Sequence, residues 1–339
     1  MNRGVPTLED VAQQAGVSRA TVSRVVNGVR NVDPAIQDLV RVAIERTGYT
    51  PNRAARFLVT RRAGTIALII SGAGDEFAAQ VFADPFFGRV VDGAMGYLRS
   101  RAIHPVLLFA ESEAAREQVV DYARQGNVDG TLVVSLQAPD PLPQLLASAG
   151  IPTVLYARPA QPQPFSFVDL DNYSGAELAA KHLLARGCRR IAAIPAPQNL
   201  PAARARLDGF RDALAAAGHR APLIAEGTFT LDSGEAAMSR LLEEDPSVDG
   251  VFAANDLMAQ GACQLLRERL RRIPEDVAVV GFDDSSAASV CRPPLTTVRQ
   301  PVEKMAETMA QLLCEHVEGV RSEPTSVVFE PELVVRESA

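Results

Sequence analysis

The chain has 339 residues, 47% hydrophobic and 22% charged, which excludes a disordered polymer and gives room for two or three compact units. No run approaches the roughly 18 apolar residues of a membrane span, and MNRGVPTLED lacks the apolar core of a secretory signal, so no membrane partner and a cytoplasmic location are expected. Residues 1–62 hold ten Arg against five Asp plus Glu, a net +5, while the remainder holds 24 basic and 36 acidic groups, a net −12.

A small basic head beside a large acidic body suits DNA, which attracts the one and repels the other. In TLEDVAQQAGVSRATVSRVVN (7–27), Thr7 is a helix cap and Leu8, Val11, Ala12 and Ala15 make one apolar face. Gly16 permits a tight turn, and Ser18 caps a second helix whose buried side is Val22, Val25 and Val26. Arg19, Ala20, Ser23, Arg24 and Asn27 fall largely on the other side. Two short helices around a Gly turn, the second with a polar exposed face, are a helix-turn-helix. A third helix starts at Asp33 and Pro34, ends at Gly48, and carries Ile36, Leu39, Val40, Ala43 and Ile44 as its apolar stripe. YTPNRAARFL (49–58) then supplies a helix too short to persist alone in water. Its Leu58 either wedges into a minor-groove base step or packs on the following domain.

These two blocks, at this spacing, resemble the head and hinge of the LacI/GalR family of bacterial transcriptional regulators. The resemblance implies base contacts from Arg19, Ala20 and Arg24, and phosphate contacts from Thr7, Ser18, Thr21, Ser23 and Asn27. It also implies a hinge that meets the minor groove through Asn52, Ala55 and Leu58, with Leu58 at the centre of a palindrome. The domains expected are a helix-turn-helix head (1–48), a hinge and linker (49–63) and an effector-binding, dimerising core (64–339).

From residue 64 strands alternate with helices. The strands are TIALII (65–70), HPVLLF (104–109), DGTLVV (129–134), IPTVLYA (151–157), RRIAAI (189–194), VDGVFAA (248–254) and VAVVGFDD (277–284). Helices are predicted near 86–101, 113–125, 141–149, 173–186, 203–217 and 256–270. The pattern predicts two doubly wound lobes with a ligand cleft at the carboxyl ends of parallel strands. No GxxxxGK[ST], GxGxxG or GxSxG is present, so no cofactor and no enzyme nucleophile are expected. Cys188, Cys263, Cys291 and Cys314 are scattered, as are His104, His182, His219 and His316, so no metal site or disulfide scaffold is expected. Asp283 and Asp284 are adjacent carboxylates after a strand; their side chains are expected to point different ways, which favours binding over acid–base chemistry.

The body resembles the same family along nearly its whole length. The matching words include DPFF (84–87), AGIP (149–152), DNYSGAELAAKHLLARGCRRIA (171–192), RARLDGF (204–210), FAANDLMAQGA (252–262), IPEDVAVVGFDD (273–284) and PPLTTVRQP (293–301). The resemblance implies a periplasmic-binding-protein-like α/β core of two doubly wound lobes with three crossings. The first lobe is about 64–168 plus 302–328, the second about 169–300 plus 329–339. Effector contacts carried over are Asp84, Phe86, Phe87, Arg158, Arg206, Phe229, Asn255, Asp283 and Gln300, a set suited to a sugar-like polyol. Two departures stand out. Ala157, beside Arg158, replaces an Asp of many members, and SGAGDEFAAQVFA makes a long connector before DPFF. That connector is a lip over the cleft, a change in subunit contacts or a surface insertion. LVVRESA at the end carries no leucine heptad, so a homodimer on a pseudo-palindromic operator is expected. Together these features imply a repressor released by a carbohydrate effector. A purine-dependent corepressor system is the nearest alternative; a solute-binding receptor is more remote, given the basic head and the lack of a signal.

Overall fold

Thr7 begins the first helix of the head with reciprocal bonds: its hydroxyl accepts from the Asp10 amide, and the Asp10 carboxylate accepts from the Thr7 amide at 2.7 Å. The computed structural model describes residues 6–26, 32–49, 62–74, 77–135 and 138–339. Helix α1 (Leu8–Ala15) closes on Gly16, which is left-handed at φ 68°. Helix α2 (Arg19–Val26) follows, with the Thr21 amide bonded to the Ser18 hydroxyl at 3.1 Å. Helix α3 (Pro34–Thr47) is capped by Asp33 and ends at left-handed Gly48. Val11, Ala12, Val22, Val40, Ala43 and Tyr49 form the head's core. Two expectations change here. Leu39 is 55% exposed, because the buried face of α3 runs through Val40 and Ala43 and Leu39 lies off its edge. Tyr49 packs into the head, one residue past its expected end. Asn27 and the hinge residues Asn52, Ala55 and Leu58 lie outside the described residues.

The core is a separate compact unit beginning at Thr65. Its first lobe holds strands β1 (Thr65–Ser71), β2 (His104–Ala110), β3 (Gly130–Ser135), β4 (Thr153–Tyr156), β5 (Ser166–Leu170) and β11 (Ser326–Phe329), in the order β11-β5-β4-β3-β1-β2. The second holds β6 (Ile191–Ile194), β7 (Leu223–Ile224), β8 (Gly250–Ala253), β9 (Ala278–Asp283), β10 (Thr296–Arg299) and β12 (Glu332–Val334), in the order β12-β10-β9-β8-β6-β7. The described pairings are parallel except β10 with β12. The helices are α4 (Phe77–Ala83), α5 (Pro85–Ser100), α6 (Glu113–Arg124), α7 (Leu142–Ser148), α8 (Asn172–Ala185), α9 (Pro201–Ala216), α10 (Leu231–Glu244), α11 (Asp256–Glu268), α12 (Ser286–Val290) and α13 (Val302–Val317).

The chain passes between the sheets three times: after Leu170, between Arg299 and Val302, and after Phe329. The first and third crossings fall slightly beyond the expected 168 and 328, because β5 and β11 pair up to Leu170 and Phe329. The strands of the second sheet are apolar on both faces, as a parallel sheet covered on both sides must be. Ala192, Ile194, Val251, Ala253 and Val279 pack in one cluster with residues of α10 and α11, while Ile191, Ala193, Phe252, Val280 and Phe282 pack in another with α8 and α9. This period of two is the pleat itself.

The long connector is a packed element. Phe77 and Val81 of α4 enter the first-lobe core, and the Phe77 ring meets the Phe109 ring edge-on at 6.1 Å. Phe82 is 73% exposed, with its ring 5.7 Å from that of Phe109. The connector is thus part of the lobe, and a plain surface insertion does not describe it.

In the first lobe α5 and α13 pack closely at Gly93, where a Cβ would sit 2.1 Å from the Glu303 carbonyl oxygen. Gly93→Ala must push these helices apart and is expected to cost about 1–3 kcal/mol, or about 3–10 °C in Tm. A thermal melt showing no change would mean the helix spacing adjusts freely.

Candidate effector site and DNA-reading helix

The site stands at the carboxyl ends of the strands, where a doubly wound sheet opens its crevice. At that edge the backbone takes unusual conformations. Ala157 after β4, Phe229 before α10, and Asp283 and Asp284 at the end of β9 all have positive φ, at 71°, 65°, 103° and 50°. Such residues persist where the surrounding structure holds them, and they re-aim side chains at functional edges.

Arg206 projects from α9 and is only 7% exposed. A guanidinium cannot shed its charge, so burial obliges it to find partners. It donates from Nε to Asn172 Oδ1 (2.8 Å), from Nη1 to the Ala254 carbonyl (2.6 Å), and from Nη2 to Gln300 Oε1 (3.0 Å). Nη1 also lies 3.3 Å from Asp283 Oδ1, and the guanidinium centre sits 3.6 Å from the Phe282 ring centroid. Gln300 passes the connection onward, donating from Nε2 to Tyr156 Oη at 2.8 Å. Arg89 of α5 donates to the Asp283 and Gln300 carbonyls at 2.9 and 3.0 Å and pairs with Glu303. The two lobes therefore meet through one hydrogen-bonded network at the crossing.

The remaining predicted contacts fall around it. Asp84 caps α5 through the Phe86 amide at 2.9 Å, and its carboxylate feels the charge of Arg206. The half-buried Phe86 stands edge-on to Phe87 and Tyr156, at 5.1 and 5.2 Å. Asn255 caps α11 and donates from Nδ2 to the Phe229 carbonyl at 2.9 Å, so its amide holds the loop in place. Arg158 is exposed, 3.9 Å from Asp169, with its guanidinium near the Phe167 ring. Asp284 turns the other way, to Arg299 and Arg336, so the adjacent carboxylates do diverge. Sequence reasoning passed over Arg89, Tyr156, Asp169, Asn172, Asp256 and Glu303. Most of these stand in or beside the matching words DPFF, DNYS and FAANDLM, but nothing in their spacing assigned them a partner.

Burial dominates the acid–base behaviour. It pushes Asp283 up to about 8, outweighing the pull of Arg206 and Arg89, and it raises Asp84 and Asp169 as well. Asp256, accepting from the Ser285 amide (2.7 Å) and the Thr297 hydroxyl (2.6 Å), is pushed by burial up to about 7.

In the head, α2 presents Arg19, Ala20 and Arg24 to solvent on the side away from buried Val22. Arg19 pairs with Glu9 at 3.0 Å, both side chains well exposed. Thr7 and Ser18 are exposed at the helix starts; Thr21 and Ser23 are half-buried. The Thr7 and Ser18 hydroxyls are occupied in capping, and Ser18 Oγ lies 2.9 Å from Thr21 Oγ1.

A helix-turn-helix head and a two-lobed core with a polar cleft, in one chain, define a ligand-responsive DNA-binding regulator of transcription. Comparison with known proteins agrees. Residues 7–52 match the model for bacterial regulatory proteins of the lacI family, and residues 180–339 match that for a periplasmic binding protein-like domain. The HTH-type transcriptional regulator CelR of Thermobifida fusca is 47% identical over 337 residues, 98% of either chain. A solved complex of the transcriptional regulator CelR with cellobiose covers 98% of this chain and 100% of its own at 45% identity, with a TM-score of 0.78. The lac repressor dimer bound to operator and the anti-inducer ONPF covers 99% of each chain at 26% identity, with a TM-score of 0.83. The chain belongs to the lacI family of bacterial regulatory proteins.

The raised carboxyls have a consequence for stability. A native pKa above the ordinary value means the folded state holds its proton more tightly than the unfolded chain does. That contribution is complete below about pH 4 and is lost as pH rises through 7 to 8. Unfolding free energy is therefore expected to fall as pH rises from about 4 to about 8, and Asp256→Asn is expected to flatten the slope. Denaturant titrations with equal slopes for both proteins would rule this out.

Proposed function

We propose that the protein is a homodimeric repressor that holds a pseudo-palindromic operator in the cytoplasm and releases it on binding a neutral carbohydrate. The observation that carries the effector class is the cleft's charge pattern. Arg206 is a buried cation already surrounded by acceptors, with the carboxyls of Asp84, Asp169 and Asp283 within its field. With Asp283 held protonated by burial and Arg206 already met by acceptors, such a set offers donors and acceptors to hydroxyl groups and leaves no free cation for a phosphate. Asp169 stands next to Ala157 across the β4–β5 pairing, so a carboxyl remains beside the position where many relatives of this type carry one. Similarity to the cellobiose-bound CelR narrows the proposal to a disaccharide of glucose.

Arg158, Phe86, Phe87 and Phe229 wall the ligand, Asn255 holds the Phe229 loop, and Gln300 reports occupancy to Tyr156. Sugar binding shifts the lobes toward an arrangement with lower operator affinity, and by linkage the operator lowers sugar affinity equally. On the DNA side, Arg24 reads a guanine through its bidentate fork, with Arg19 and Ala20 beside it, while Thr7, Ser18, Thr21, Ser23 and Asn27 hold phosphates. Asn52, Ala55 and Leu58 serve the minor groove.

Fluorescence anisotropy on a selected operator tests the response. Cellobiose is expected to release the DNA, whereas tighter binding with guanine or hypoxanthine and none with sugars would replace induction by purine corepression. On the same operator Arg24→Ala is expected to cost about 1–3 kcal/mol and to relax preference at one base pair. An equal loss on random DNA would remove base reading from Arg24.

A further inference from the structure

The junction of the two lobes is spanned by a side chain that the effector contacts do not use. Arg89 stands on the second turn of α5, a first-lobe helix, with its side chain 19% exposed. Along one edge its guanidinium meets Glu303 twice, Nε to Oε1 at 2.6 Å and Nη2 to Oε2 at 2.9 Å. Glu303 lies in the first turn of α13, which packs on α5 and on the first sheet. The remaining donors point across the junction. Nη1 reaches the Asp283 carbonyl at 2.9 Å, and Nη2 reaches the Gln300 carbonyl at 3.0 Å. Asp283 ends β9 of the second sheet, and Gln300 follows β10 on the crossing itself.

This geometry differs from that of a surface ion pair. A planar fork gripped bidentately by a carboxylate has its other N–H groups fixed in direction. Those groups end on backbone carbonyls, so they hold main chain and not a side chain that could swing away. The Asp283 carbonyl also accepts from the Gln300 amide, and the Gln300 carbonyl accepts from the Val302 amide at 2.8 Å. Asp283 is left-handed at φ 103°, a conformation that a residue with a Cβ keeps only when neighbouring bonds hold it. Gly93, one turn along α5, lets that helix lie against the Glu303 backbone and so brings Arg89 within reach of the crossing. In the same arrangement Arg206 is met by Asn172, the Ala254 carbonyl and Gln300. A ligand that competes for those groups displaces this arrangement, and Arg89 opposes the displacement.

We propose that Arg89, anchored by Glu303, is a positioning residue: a latch that holds the lobes in the operator-binding arrangement and sets the effector concentration at which the operator is released. This deepens the induction reading given above and rests on it. Arg89 needs no contact with the ligand. It acts on the balance between two lobe arrangements, and its bonds to the Asp283 and Gln300 carbonyls are lost as the lobes shift. With the latched arrangement dominant, weakening it tenfold raises the open fraction about tenfold, and the sugar then binds about tenfold more tightly. The latched fraction, and with it operator affinity, changes by less than about twofold. Damage to the fold would weaken both ligands instead.

Isothermal titration with cellobiose and anisotropy on a selected operator, both with the full-length protein, test the latch. Arg89→Lys keeps the charge and loses the fork; Glu303→Gln keeps the shape and loses the anchoring charge. Both variants are expected to bind cellobiose about tenfold more tightly than wild type and to release the operator at correspondingly lower sugar concentration. Cellobiose affinity unchanged or weakened in both overturns the latch and leaves the carbohydrate reading intact. Hydrogen exchange of the unliganded protein needs no sugar. The Gln300 and Val302 amides, whose acceptors Arg89 holds, are expected to exchange faster in Arg89→Lys, while the amides of β8 keep their rates. Unchanged exchange at 300–302 overturns the latch whether or not cellobiose binds; wild type that binds no cellobiose overturns the carbohydrate reading alone.

Discussion

A guanidinium taken out of water has to be met by acceptors on every side, and the core of this protein is arranged around that requirement at Arg206. Its partners come from α8, from the ends of β8 and β9, and from the crossing between β10 and α13. If one moves, a buried cation loses a hydrogen bond worth more than an ordinary one. Gln300 lies on the crossing itself and bonds to Tyr156 of the first sheet, so the position of one lobe relative to the other is written into the same network. A ligand that competes for these groups acts directly on lobe geometry.

The cleft edge departs from the economy of the rest of the core. Elsewhere five helices of the core start on a side-chain cap and the central strands are apolar on both faces. Here Ala157, Phe229, Asp283 and Asp284 adopt left-handed backbone, the carboxyls of Asp84, Asp169, Asp256 and Asp283 are held above their ordinary ionisation range by burial, and Ser71 Oγ and Arg116 Nε have no hydrogen-bond partner among the described residues. Each feature costs stability. Their concentration along the strand ends, opposite the layers that supply most of the burial, is the pattern of a site preorganised for a polar ligand.

How much of this was legible varied with the range of the interaction. The head was read almost to the residue, because Thr7, Gly16, Ser18, Asp33 and Gly48 act on backbone within four positions of themselves. Seven strands of the core announce themselves by apolar runs. Strands β5, β7, β10, β11 and β12 go unread, because they are short and all but β7 are part polar, and so do helices α4, α10, α12 and α13; the buried face of α10 includes the small residues Gly234 and Ala237. The connector before DPFF looked like a possible surface insertion, since only contact with Phe109 shows that Phe77 is a core residue. Family resemblance singles out Arg206, Asp283 and Gln300, and the fold brings them together. Arg89 and Tyr156 went unassigned, because nothing local marks an Arg on an amphipathic helix or a Tyr at a strand end as the bridge between lobes.

By itself the sequence determined the class of protein: a basic helix-turn-helix head, an acidic body of alternating strands and helices, and the absence of phosphate-loop and nucleophile motifs. Those are local signals, set by propensity, capping and periodicity over a few residues. Only the tertiary structure decided which polar groups are paired and which are left open. Asn255 is committed to the Phe229 loop, Asp283 and Asp284 diverge, and the Gly72 carbonyl meets Arg116 from a helix more than forty residues away. Hydrogen-bond satisfaction is a property of the packed chain, because the partners of a buried group are brought to it by the fold and not by its neighbours in sequence.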